Sequence, residues 1–250
     1  MSRPSALGSA IAIVVAALAI TACGGEETNS TTQGLPQGSE RVGLDPADFT
    51  TEIDNPYWPM TPGNRWRYRE TDSEGANLKV DVTVTDRTKR IANGVEARIV
   101  HDLVTDRGAP VEDTYDWYAQ DSEGNVWYMG EDTKEFEGGK VVSTAGSWEA
   151  GIDGAQPGIA FPAAPTPGLK YRQEYYAGEA EDDGEIVSVD EQAEVPAGHF
   201  SPVVMTRDTT PVEPKVLEFK FYAKGIGPVL ELTASGGSDR AELVSFRRGK

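Results

Sequence analysis

The chain of 250 residues is short of the residue types that most often carry chemistry: it has one cysteine and two histidines. A single cysteine excludes an internal disulfide framework and every multi-cysteine zinc or iron–sulfur site. The histidines, His101 and His199, are far apart in sequence and leave little for a histidine-rich metal centre or a proton relay. Positive charge is also scarce, with 23 Lys and Arg against 41 Asp and Glu and a net charge of −18. A nucleic-acid binder needs a basic footprint, so no nucleic-acid partner is expected. No G-x-S-x-G elbow occurs, and no cofactor motif is present, so no cofactor is expected.

What is present begins at the N-terminus. Arg3 precedes the apolar run Ala10 to Ile20, eleven residues where a membrane-crossing helix needs about 20. A run of that length fits the apolar region of a secretory signal. It leads into Ile20-Thr21-Ala22-Cys23-Gly24-Gly25. This resembles the lipobox of bacterial lipoproteins: a branched apolar residue, two small residues and a cysteine. The resemblance implies cleavage between Ala22 and Cys23, diacylglycerol on the Cys23 sulfur, and a further acyl chain, such as palmitate, on the new amino group. Two or three chains on one residue meet the requirement for stable anchoring. The other reading is an ordinary secreted protein in which Cys23 is incidental. Residues 1–22 are thus expected to be a signal peptide and 23–45 a lipidated cysteine with a flexible tether. The stretch 24–41 lacks aromatics and any apolar period, so it cannot offset its own ordering entropy. The expected location is the cell membrane, lipid-anchored and facing outside the cytoplasm.

Residues 46–250 read as strands. Arg65-Trp66-Arg67-Tyr68-Arg69 and Lys79 to Thr85 alternate polar with apolar or aromatic residues at period two. Further β-branched and aromatic runs at 97–104, 115–119, 126–129, 170–176, 186–189, 203–207, 215–222, 229–233 and 241–247 are divided by Gly, Pro and Asp/Asn clusters. No stretch keeps a 3.6 period over three turns. The expected fold is all-β, a single antiparallel domain: a strongly bent sheet, a partial barrel or a two-sheet sandwich. The segments NPYWPMTPGNRWRY, DWYAQDSEGNVWYMGE, GSWEAGIDGAQPGIAFPAAPTPGLKYRQEYYAGEAED and YAKGIGPV resemble those of a group of bacterial secreted and lipid-anchored proteins with no assigned activity. That resemblance supports the compartment and implies no mechanism.

Three features are candidates for function. The segment Gly151 to Gly168 has four prolines and reads as a long loop covering an open core, with Ile159 and Phe161 as its plug. Trp117, Trp127 and Trp148 are the candidate lining of an apolar groove beneath it, since aromatics with a polar handle suit such grooves. Glu179, Glu181, Asp182, Asp183 and Glu185 concentrate carboxylates as hard cations prefer, without EF-hand spacing. A solvated acidic hairpin tip is the preferred reading of that cluster. The function these features favour is non-catalytic: holding an apolar or lipidic molecule, or an envelope component, near the membrane. The alternatives are an envelope hydrolase using carboxylates and a module docking an envelope protein along a sheet edge.

Overall fold

The computed structural model describes residues 34–249, so Cys23 and its signal lie outside the described residues. After a short 3-10 turn at Pro46–Asp48, the chain forms fifteen strands. The first five are β1 (Phe49–Thr50), β2 (Arg65–Thr71), β3 (Asn77–Arg90), β4 (Glu96–Asp106) and β5 (Ala109–Asp121). The middle five are β6 (Val126–Glu137), β7 (Lys140–Ser143), β8 (Trp148–Glu149), β9 (Gln156–Phe161) and β10 (Lys170–Tyr176). The last five are β11 (Ala180–Val195), β12 (Gly198–Thr209), β13 (Leu217–Ala223), β14 (Gly227–Ser235) and β15 (Arg240–Arg247).

All pairings are antiparallel, and twelve strands close on themselves in the order β5-β4-β3-β2-β15-β14-β13-β12-β11-β10-β9-β6, with β6 returning to β5. The expected all-β domain is therefore a barrel. Closure removes the open edges that a sheet of this length would otherwise expose. Only β1, added to β5, and β7 and β8, added to β6, lie off the ring among the described residues.

The outer wall is charged. On β2, Arg65, Arg67 and Arg69 point away from Trp66, Tyr68 and Glu70, as alternation along a strand demands. Arg65 pairs with Asp81, Arg207 with Glu185, and Arg69 with Glu242 at 2.6 Å. A membrane-spanning barrel carries an apolar band on that face; this one carries ion pairs. No helix among the described residues is long and apolar enough to cross a membrane.

One end of the barrel is stoppered by residues 51–64, the proline-rich segment before β2. Asn55 fixes it: its amide nitrogen donates to the Gly124 carbonyl at 2.9 Å and the Pro162 carbonyl at 3.3 Å. The Gln120 side chain accepts from the backbone N–H of Asp54 and Asn55 at 3.0 and 2.9 Å. Trp58 then enters between Tyr118 and Tyr222, with ring centroids 5.5 and 5.8 Å away.

Two sequence expectations change here. The segment 151–168 is not a displaceable cover. Its centre is β9, a wall strand between β10 and β6, with Ile159 and Phe161 wholly buried. Gly158 permits this, because a Cβ there would lie 2.4 Å from the Gln173 backbone. The described part of the expected tether, 34–45, lies against the barrel. Arg172 donates to the carbonyls of Gly38 and Glu40 at 2.7 Å each, and its backbone N–H donates to Pro36. Leu35, Val42 and Leu44 rest on the core, giving the segment the apolar contacts its composition did not advertise.

Candidate functional site

The barrel encloses a cavity of about 430 Å³. Trp58 and Met60 of the stopper form one end, and the cavity runs toward the opposite turns, where Glu70 and Glu112 are partly exposed. Its wall has two chemistries. Aromatic faces come from Trp58, Trp66, Tyr68, Tyr118, Tyr128 and Tyr222. Seven carboxyl groups line the same space, against one ammonium, that of Lys220.

The aromatic side is fixed by hydrogen bonds and by ring-on-ring packing, Trp66 stacking on Phe246 at 5.2 Å. Trp66 donates its indole N–H to the Ile226 carbonyl at 2.8 Å, and Tyr68 its hydroxyl to the Pro228 carbonyl at 3.0 Å. Tyr118 and Tyr128 stack at 5.0 Å.

The acidic side is an arc across β4, β5, β10 and β11, with Glu131 of β6 opposite Asp116 but outside the lining. Burial, reinforced by Asp116 and Glu112, pushes the Asp102 carboxyl well above the usual range. Its Oδ1 is buried and meets no hydrogen-bond donor among the described residues. Burial pushes Asp116 up to about 7, against a hydrogen bond from the Tyr128 hydroxyl at 2.8 Å. Beside it, burial and then the charge of Asp116 push Glu131 up to about 8. Glu174 and Asp182 face each other across the β10–β11 ladder. Burial, then the nearness of Asp182 and Glu131, raises Glu174 well above the usual range, while the Trp148 indole N–H donates to it at 2.8 Å.

Across the chamber, the only lining cation is already engaged. Lys220 lies 3.0 Å from Asp208, whose carboxylate also accepts from Gln173 at 3.1 Å. Burial works against the Lys220 ammonium, but Glu231 and Asp208 hold its proton and raise its pKa well above the ordinary value.

The residues singled out from sequence fall differently. Trp117 is on the face of β5 opposite Asp116 and Tyr118, under the Lys89 ammonium at 3.6 Å. Trp127 also points away from the chamber, donating to Asp121 at 2.7 Å with Phe49 edge-on. Trp148 stands behind the lining, touching Tyr128 edge-on at 5.4 Å as well as Glu174. Ile159 and Phe161 are core residues of β9, while Ala160 between them lines the cavity.

The five clustered carboxylates are not brought together. Glu179 is in the β10–β11 turn, Glu181 accepts from the Gly178 N–H at 2.7 Å, and Glu185 is taken by Arg207. Asp183 pairs in register with Arg172, and Asp182 alone turns into the barrel. Among the described residues, no group of three or more potential ligands is arranged to hold a metal ion. His101 and Asp102, adjacent in sequence, are on opposite faces of β4; His101 stacks on Tyr115 and meets Asp113 at 2.7 Å. His199 lies beside the exposed Glu194 at 3.3 Å.

What sequence reasoning missed is the acid arc. Asp102, Asp116, Glu131 and Glu174 each sit in a strand where a carboxylate ordinarily marks the solvent face. A parity check on Tyr115-Asp116-Trp117-Tyr118 leaves the choice of inner face open, because both faces carry aromatics. Trp66 and Tyr68, recognised as strand aromatics, do line the chamber.

Fold and site define a closed antiparallel barrel around an acid- and aromatic-lined chamber. No family model matches the chain, and no curated protein matches it. Among solved structures, a "putative lipoprotein" from Parabacteroides distasonis ATCC 8503 is similar at 11% identity, with a TM-score of 0.41. The match covers 76% of this chain and 98% of that one. Likeness at that level carries neither fold nor function, which rest here on strand pairing and on the chamber.

Proposed function

We propose that the protein is a lipid-anchored, extracytoplasmic binding protein that holds a small molecule inside its barrel. The anchor rests on the lipobox-like sequence ending at Cys23. The binding role rests on one observation: a cavity of about 430 Å³ inside the barrel, a size typical of ligand sites, lined by aromatic side chains and inward polar groups. A barrel built only for stability fills its interior with side chains.

The ligand has an apolar body and a polar group. A wholly apolar lipid would leave the inward carboxyls desolvated and unpartnered, at a cost of several kcal/mol in total. The shifts at Glu70, Asp102, Asp116, Glu131 and Glu174 all run upward. That pattern supports a chamber of desolvated acids over a hydrolytic pair, in which two environments push the carboxyls apart.

N-phenyl-1-naphthylamine, a neutral probe that brightens in apolar surroundings, tests the reading. The mature domain should bind it saturably at one site, and Ala241→Trp, which fills the chamber from β15, should abolish the signal while leaving the far-UV spectrum unchanged. Binding that survives the filled chamber, or no binding at all, would overturn it.

A further inference from the structure

We propose that the chamber selects an organic cation, a protonated amine or quaternary ammonium carried on an apolar body. This rests on the binding reading above and specifies its ligand class.

Three observations carry it. First, the lining charges do not balance: seven carboxyl groups face the cavity against one ammonium, Lys220, which is shared between Asp208 at 3.0 Å and Glu231. No arginine lines the space; Arg65, Arg69 and Arg207 are spent on ion pairs of the outer wall. Second, Asp102 is a half-buried residue of the cavity lining, and its Oδ1 has no donor from the protein among the described residues. A buried carboxylate oxygen without a partner is costly, and the missing partner is a positive or hydrogen-donating group. Third, the surface next to that arc is aromatic. Tyr118 and Tyr128 stack beside Asp116, and Trp58 leans on Tyr118 at 5.5 Å. Ring faces attract cations, more strongly when water is excluded, and quaternary ammonium groups are held in this way by aromatic cages.

Alternatives fit less well. An anion meets the carboxyl groups as like charges or as acids it must keep protonated. A neutral hydrocarbon gains the aromatic contacts but leaves Asp102 without a partner. A cation satisfies both walls, and the partly exposed Glu70 and Glu112 at the far end favour its approach.

The test compares phenyltrimethylammonium with tert-butylbenzene, its neutral isostere, and with benzenesulfonate, by titration of tryptophan fluorescence at pH 8 and fixed salt. The cation should bind at least tenfold more tightly than the isostere, benzenesulfonate should not bind, and Ala241→Trp should remove both signals. Asp102→Asn should cut cation affinity about tenfold and leave tert-butylbenzene binding unchanged; Asp116→Asn serves the same purpose if the first variant does not fold. Equal affinity for the cation and its isostere would overturn the inference while leaving the binding chamber standing. Cation binding that persists in Ala241→Trp would mark it as surface attraction and overturn the inference too. Failure of both ligands, together with N-phenyl-1-naphthylamine, would remove the binding role itself.

Discussion

The Tyr128 hydroxyl on β6 donates to the Asp116 carboxylate on β5 at 2.8 Å, inside the barrel and beside a second acid, Glu131. This bond is the main influence that favours the charged form of Asp116 against its burial. Tyr128→Phe should therefore raise the Asp116 pKa from about 7 by roughly one unit. Carboxyl carbon shifts followed by NMR across the titration read this directly; an unchanged midpoint would detach the tyrosine from the acid.

The pH dependence of stability has a definite sign. Asp116 and Glu131 titrate at about 7 and about 8 in the folded chain, against ordinary values of 3.8 and 4.5. They are faced by Asp102 from β4, Glu112 on the same strand as Asp116, and Tyr128 on β6, with Glu174 of β10 near Glu131. Between those limits the folded state binds more protons than the unfolded state, so stability falls as pH rises. Asp81 and Glu242 act the other way. Against the effect of burial, arginines hold both below the usual range, so their contribution is lost in acid. The ligand-free domain should be most stable at roughly pH 4 to 5 and lose about 5 °C or more of Tm by pH 8. Asp116→Asn should flatten that slope and raise the Tm at pH 8. Calorimetry across the range checks both.

Arg172 ties the segment 34–45 to the wall. Its guanidinium donates to three carbonyls, those of Gly38, Glu40 and Pro157, and it is almost fully buried at 1% exposure. Arg172→Met should cost roughly 2–3 kcal/mol in urea unfolding. It should also open residues 34–45 to limited proteolysis. Cleavage there at the wild-type rate would show that the apolar contacts of Leu35, Val42 and Leu44 hold the segment unaided.

The anchor is tested separately. Cys23→Ala should move the full chain from the membrane fraction to the soluble one, and the wild-type mature N-terminus should carry diacylglycerol by mass spectrometry. A soluble, unmodified wild-type chain would contradict it.

How far the sequence discloses this molecule depends on the range of the interaction. Strands such as Arg65–Thr71 and Asn77–Arg90 are legible because alternation is local. The pairing of β15 with β2 is not, since register between distant strands leaves no local signature. Four prolines between 151 and 168 disguise β9, whose pairing with β6 and β10 overrides its weak intrinsic propensity. Asp102 and Asp116 mislead for a stronger reason. A chamber with inward carboxyls places polar groups where the folding pattern calls for apolar ones, so these residues read as surface. Trp117, set by contrast on the outer face under Lys89, reads as lining because an indole alone does not reveal which way the strand faces.

The central claim is that a cation-bearing small molecule sits in the chamber between the aromatic wall and Asp102. The most direct measurement is a crystal structure of the mature domain with saturating phenyltrimethylammonium. The account predicts density for the ring against Trp58 and Tyr118, with the ammonium facing Asp102 and Asp116. A chamber holding only ordered water at saturation, or a probe seated on the outer wall among the arginine pairs, would contradict it.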